Sequence, residues 1–227
     1  MHLRLPAAWN TRFHTALCAA WLAAAVVPAA QAQQAGKINP ADLQTRLQEA
    51  KASPELQQKL YTTGKKVAAV CANCHASHSG RAVLEVPYLD GQNPAYLVEQ
   101  IRQFSQGTRK NTFMEGILKA LSRDEMVGVV LFYEKEKLPA RAPRDLAMHA
   151  KGKAYYERIC VTCHAADGHG NDRLPRIAGQ HGGYVDLTLK RYREGSNVRY
   201  DPNMAFVTKS MTDQDIQAVA TYLETLP

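Results

Sequence analysis

One pentapeptide pattern occurs twice in the chain, and it constrains the fold more than any other feature. Cys71-Ala72-Asn73-Cys74-His75 is answered 89 residues later by Cys160-Val161-Thr162-Cys163-His164. The match extends outward at offsets of 88 to 90 residues. Pro87 with Gly91-Gln92 corresponds to Pro175 with Gly179-Gln180, and Tyr96 to Tyr184. Phe104 and Gly107 correspond to Tyr192 and Gly195, Met114 to Met204, and Ser122-Arg123-Asp124-Glu125 to Thr212-Asp213-Gln214-Asp215. Landmarks recurring in one order describe a duplicated unit of roughly 85–90 residues, which is domain-sized.

Each repeat reads as helices joined by long loops. Residues 64–74 and 153–163 are short helices leading into the Cys pairs. Residues 94–106 and 183–194 are amphipathic, the first through Tyr96, Leu97, Ile101 and Phe104. The last helix of the first repeat opens on a capping box, Ser122 with Glu125. Met126, Val129, Val130 and Tyr133 follow at helical spacing. The second repeat has Thr212 and Asp215, then Ile216, Val219, Ala220 and Leu223. No β-alternation of any length appears, so the fold class is all-α. Loops as long as 76–93 and 165–182 imply that something large fills the centre of each repeat.

The flanks complete the domain plan. Arg4 and Arg12 precede an apolar run from Ala16 to Ala30, and Ala30-Gln31-Ala32 offers small residues for cleavage. This is a secretory leader, residues 1–32, too short to span a bilayer comfortably. Cys18 lies inside the apolar run and reads as a small residue of the discarded peptide. Residues 33–62 form a separate N-terminal extension, with helix starts at Asn39-Pro40 and Ser53-Pro54. The first domain then covers 63–135, a charged and proline-bearing linker 136–150, and the second domain 151–227. Removing the leader leaves 26 Lys and Arg against 21 Asp and Glu, a charge of +5. That modest, dispersed excess argues against nucleic acid and suits docking on acidic protein surfaces.

Two thiols three positions apart on a helical turn reach the two vinyl groups of one haem, and the histidine that follows lies beneath the ring. The pattern is therefore that of c-type haem attachment, at Cys71, Cys74, Cys160 and Cys163, with His75 and His164 as iron ligands. A zinc ribbon places its pairs about 15–20 residues apart, and a thioredoxin-like site needs a βαβ context; neither condition is met. Met114 and Met204, 39 and 40 residues after the two histidines in loops ahead of the last helix, are the candidate sixth ligands. Met126, Met148 and Met211 have no methionine at the matching position and read as packing. His78, His149, His169 and His181 fall in loops or the linker and read as solvent-exposed. The carbonyls of Pro87 and Pro175 are candidate acceptors for the second ring nitrogen of each haem histidine. Arg109-Lys110 and Lys190-Arg191 are candidates to meet haem propionates or a partner.

With these residues in view, the chain resembles the dihaem cytochrome c4 family over about residues 60–227: tandem Cys-x-x-Cys-His motifs, a Pro…Gly-Gln-x-x-x-Tyr stretch and a late Met in each repeat. The resemblance implies two class I cytochrome c-like domains, each wrapped around a covalent haem c, packed with their haems close together. It implies axial pairs His75/Met114 and His164/Met204. It also implies periplasmic single-electron carriage, not catalysis, between a respiratory donor and a terminal oxidase or other acceptor, with redox proteins and membrane respiratory complexes as partners. The alternatives are a cytochrome subunit of a periplasmic dehydrogenase, and a dihaem peroxidase or thiosulfate-oxidising enzyme with one open haem. The chain departs from the family in placing Ala76 and Ala165 where glycine commonly follows the motif, and in the length of its extension.

Overall fold

A computed structural model describes residues 40–75, 77 and 85–227, and these are all-helical without a strand. The leader, its cleavage position, Cys18, Ala76 and His78 lie outside the described residues. Among the described residues, no helix is long and apolar enough to cross a membrane.

Ten helices are described. The first two, α1 (Pro40–Ala52) and α2 (Pro54–His75), each begin on a proline, which suits a position whose N–H has no intrahelical partner. Ser53 separates them, and its Oγ accepts from the Leu56 N–H at 3.3 Å. The extension does not stand apart from the first repeat. Leu43, Leu47 and Ala50 form an apolar stripe on α1 that is buried in one core with Leu60, Ala68, Val127 and Leu131. Arg46 forks onto Asp124 with bonds of 2.8 and 2.9 Å, tying α1 to the start of α5 (Arg123–Lys135). The helix leading into the first Cys pair is accordingly the 22-residue α2, not a short helix beginning at 64.

The two repeats are joined internally in the same way. In the first, α2 crosses α5 at Gly64 and Gly128; a Cβ on Gly64 would lie 1.9 Å from the Gly128 carbonyl carbon. In the second, α6 (Leu146–Ile159) crosses α10 (Asp213–Leu223), and a Cβ on Gly152 would lie 1.9 Å from the Ala218 oxygen. Backbone meets backbone at both crossings because no side chain intervenes. Both final helices carry the expected capping boxes, Ser122 with Glu125 and Thr212 with Asp215. Around these crossings lie α3 (Pro94–Gln106), α4 (Thr112–Lys119), α7 (Val161–His164), α8 (Gly182–Arg193) and α9 (Pro202–Thr208). The span read as linker is helical from Leu146, where Asp145 caps the Met148 N–H at 2.9 Å.

Ala165 follows the second motif at φ 63° and ψ 168°, the only non-glycine residue at positive φ among those described. That region is essentially reserved for glycine and costs other residues on the order of 1–3 kcal/mol. Tyr156, fully buried, donates its hydroxyl to the Ala165 carbonyl and holds the turn in place. Ala165→Gly removes the Cβ conflict, offset in part by the greater freedom glycine has when unfolded. We expect a net gain of about 1 kcal/mol, read as a rise of a few degrees in the thermal midpoint of the haem-loaded protein. An unchanged or lower midpoint refutes the strain.

Candidate functional site

Cys71 and Cys74 occupy the last turn of α2, and His75 is its final residue. Cys160 closes α6, while Cys163 and His164 lie on α7. None of the four cysteines forms a disulfide. Burial pushes the Cys71 thiol up and raises Cys160 to about 11. Among the described residues no three His, Cys, Asp or Glu side chains converge on a metal-sized site.

Each motif histidine is anchored through one ring nitrogen. His75 Nδ1 lies 2.8 Å from the Pro87 carbonyl, and His164 Nδ1 lies 3.2 Å from that of Pro175. Burial lowers both imidazole pKa values, so the rings are neutral at neutral pH. A carbonyl can only accept, which fixes the proton on Nδ1 and leaves Nε2 as the lone-pair nitrogen suited to iron.

Met114 and Met204 lie on short helices, not in loops. Each is the third residue of its helix, and the N-cap side chain holds its backbone N–H: Asn111 Oδ1 to Met114 and Asp201 Oδ1 to Met204, both at 2.9 Å. Thr208 Oγ1 donates back to the Met204 carbonyl at 2.6 Å. Both methionines are half-buried. Met126 and Met211 are core residues of the first and second repeat. Helices of seven and eight residues are too short to show a period in the sequence, although Asn111 and Asp201 were available as cap signals.

The histidines outside the motifs divide. His169 is largely exposed, as expected, with Nε2 3.0 Å from the Pro227 carbonyl. His149 is half-buried on α6 against Tyr222. His181 is buried: its Nδ1 caps α8 by accepting the Tyr184 N–H at 3.2 Å, and its ring meets Tyr88 of the other repeat. Its expected exposure is therefore wrong.

The sequence reading missed a pair of contacts where the repeats meet. Arg109 donates to the Tyr184 hydroxyl at 3.1 Å, and Arg199 donates to the Tyr96 hydroxyl, so each arginine bonds the tyrosine of the opposite repeat. Arg109 stacks over Phe104 and Arg199 over Tyr192, again at matched positions. Arg199 follows Arg109 at an offset of 90, the same as the methionines, and that was the available signal. Two of the other candidates are already engaged: Lys190 pairs with Asp186 at 2.8 Å and Arg191 with Glu85 at 3.2 Å.

Haem c fits these residues. No described carboxylate forms an ion pair with Arg109 or Arg199. Burial alone would push the Tyr184 hydroxyl up, yet the guanidinium charges of Arg109 and Arg199 outweigh it and draw it below the ordinary phenol range. A cationic pocket that draws a phenol toward ionisation is suited to carboxylates such as haem propionates. The buried Tyr133 hydroxyl also has no partner among the described residues.

Comparison with known proteins finds cytochromes c among the relatives of this chain. The family profile described as Cytochrome c matches residues 149–227. The chain is 34% identical over 181 residues to the thiosulfate dehydrogenase electron acceptor of Stutzerimonas stutzeri strain A1501, covering 73% of this chain and 83% of that protein. It is 32% identical over 175 residues to cytochrome c4 of Thiocapsa roseopersicina, covering 71% and 89%. The crystal structure of reduced recombinant cytochrome c4 from Pseudomonas stutzeri superposes with a TM-score of 0.64 at 27% identity, covering 72% of this chain and 97% of that one.

Proposed function

Because the chain belongs to the dihaem cytochrome c4 family, we propose that it is a periplasmic carrier that moves single electrons from a respiratory donor to a terminal oxidase or another acceptor. It is an electron-transfer protein with two covalently bound haem c groups and redox proteins as partners. In this reading Cys71 and Cys74 hold the first haem and Cys160 and Cys163 the second, with His75/Met114 and His164/Met204 as axial pairs. One observation carries the reading: the candidate ligand set is the same in both repeats, an anchored histidine and a methionine on an N-capped helical turn.

When bound, each haem supplies a ferric–ferrous couple. The residues around it do the rest. Pro87 and Pro175 fix the ring orientation of His75 and His164 and raise their basicity as ligands. The thioethers of Met114 and Met204 favour the ferrous state and raise the potential. Arg109 and Arg199 offset the propionate charge. With both ligands held by helices that do not depend on oxidation state, little rearrangement accompanies electron transfer. The +5 charge of the leaderless chain steers it toward acidic docking surfaces, with association slowing as salt rises. The basic and apolar leader at residues 1–32 supports export to the periplasm.

A second reading concerns the donor. The 34%-identical relative is a thiosulfate dehydrogenase electron acceptor, which favours a thiosulfate-oxidising dehydrogenase as the protein that reduces this chain.

The ferric absorption spectrum tests the ligand sets. A methionine–ferric charge-transfer band at two-haem intensity, with no carbon monoxide binding after reduction, is expected. A half-strength band with carbon monoxide bound would place an open iron in one repeat and favour the enzymatic alternative.

A further inference from the structure

The peptide group between Pro87 and Tyr88 is bonded at both ends. Its carbonyl oxygen accepts from His75 Nδ1 at 2.8 Å, and its N–H donates to Gln180 Oε1 at 2.8 Å. His75 belongs to the first repeat and Gln180 to the second. The peptide group between Pro175 and Arg176 repeats the arrangement with the roles exchanged. Its carbonyl accepts from His164 Nδ1 at 3.2 Å, and its N–H donates to Gln92 Oε1 at 2.8 Å. One peptide plane thus links each motif histidine to a glutamine of the opposite repeat.

The glutamines are held firmly. Gln180 Nε2 donates to the Tyr88 carbonyl at 3.0 Å, and Gln92 Nε2 to the Arg176 carbonyl at 2.9 Å. Each Oε1 also accepts the N–H of the next residue in its own chain, His181 or Asn93, at 2.9 Å. Two N–H groups aimed at one end of the amide and a carbonyl at the other fix its orientation. Both side chains are buried. The residue before each, Gly91 at φ 66° and Gly179 at φ 70°, donates its N–H at 2.8 Å to the last helix of its own repeat, at Tyr133 and Leu223. Each glutamine therefore hangs from a rigid element of one repeat and reaches the histidine anchor of the other.

We propose that Gln92 and Gln180 are crossed positioning residues, each tuning the reduction potential of the haem held by the opposite repeat. The inference rests on the assignment of His75 and His164 as axial ligands. A peptide whose N–H is donated carries a more negative carbonyl oxygen, and bonds in such a chain strengthen one another by about 10–30%. The stronger acceptor draws more on the Nδ1 proton and makes Nε2 a more basic ligand. A more basic ligand stabilises ferric iron and lowers the potential. Removing the glutamine acceptor raises the potential of the haem across the interface, not that of its own repeat.

The test uses the haem-loaded protein with Gln180→Leu and Gln92→Leu, each titrated spectroelectrochemically. The histidine Nδ1–H proton resonances of the reduced protein identify which haem has changed. Gln180→Leu is expected to shift the reduction equilibrium of the His75 haem about threefold toward ferrous. Its His75 Nδ1–H resonance should move upfield and exchange faster, while the His164 haem stays nearly unchanged. Gln92→Leu should do the reverse. Gln180→Glu keeps an oxygen acceptor for Tyr88 and should leave the His75 haem at or below its parent potential. This variant carries the decision by itself if the leucine variant does not fold. A shift confined to the substituted residue's own repeat, equal shifts at both haems, or a glutamate variant above the parent potential overturns the proposal. The Nδ1–H resonances of the reduced parent protein separate the two failures. His75 and His164 resonances shifted by a haem ring current, with uncrossed changes of potential, sink the relay alone, whereas their absence sinks the histidine ligand assignment beneath it.

Discussion

Gly64→Val will cost the first repeat about 4 kcal/mol or more, the range reserved for substitutions that break a core contact. Two effects oppose each other. Valine is the better helix former by a few tenths of a kcal/mol. Against that, a Cβ at position 64 would lie 1.9 Å from the carbonyl carbon of Gly128 and 2.0 Å from its oxygen. No rotamer relieves a clash that begins at Cβ, so α2 and α5 must separate. Their separation loosens the packing of Leu60, Ala68, Val127 and Leu131 in the same core. Ordinary overpacking costs about 1–3 kcal/mol because side chains can shift; here the obstacle is backbone. Denaturant unfolding of the haem-loaded protein, followed by circular dichroism, measures the loss. Gly116→Ala is the control, since a Cβ there meets nothing within 4 Å. It should raise the midpoint through helix propensity alone, by up to about 1 kcal/mol. A parent-like midpoint for Gly64→Val would show that the crossing tolerates the extra atoms.

What could be read from the sequence was whatever the duplication repeats locally. Ser122 with Glu125 and Thr212 with Asp215 announce the final helices because a capping box needs only four adjacent residues. The proline anchors of His75 and His164 were legible because Pro87 and Pro175 recur 12 and 11 residues after the motif histidines. The burial of α1 was not legible. Leu43, Leu47 and Ala50 show a stripe, but a stripe does not say which helix covers it. His181 was misjudged for the same reason: its burial depends on Tyr88, which lies in the other repeat. The glutamine pairs span 84 and 92 residues in sequence. No local pattern carries such a contact, and the Gly-Gln recurrence marked its participants without revealing that they cross. Arg199 is a different case. Its 90-residue offset from Arg109 was present in the sequence, and the match was lost among segments aligned at 88.

On the proposed ligand sets, Met114→Ala and Met204→Ala each open one iron. Each variant should lose half of the methionine–ferric band and bind one carbon monoxide per protein after reduction. The potential of the affected haem should fall by roughly 0.2 V, a fraction of the ~0.8 V over which axial ligands tune haem iron. Stability should suffer far less than redox behaviour. The N-caps hold the backbone of each methionine, not its side chain, so α4 and α9 keep their first turns. Both side chains are half-buried, which puts the truncation near 1–2 kcal/mol, below the ~2–5 kcal/mol of a fully buried methionine. Met126 supplies the opposite case. It is 1% exposed in the core of the first repeat, so Met126→Ala should cost about 2–5 kcal/mol and leave the band at full strength. The two substitutions thus separate ligand from packing within one repeat: one changes the iron and spares the fold, the other strains the fold and spares the iron. A full-strength band in Met114→Ala would remove that residue from the ligand set and leave the first iron with a different sixth partner. The double variant Met114→Ala/Met204→Ala should lose the band entirely and bind two carbon monoxide molecules, because each methionine serves only the haem of its own repeat.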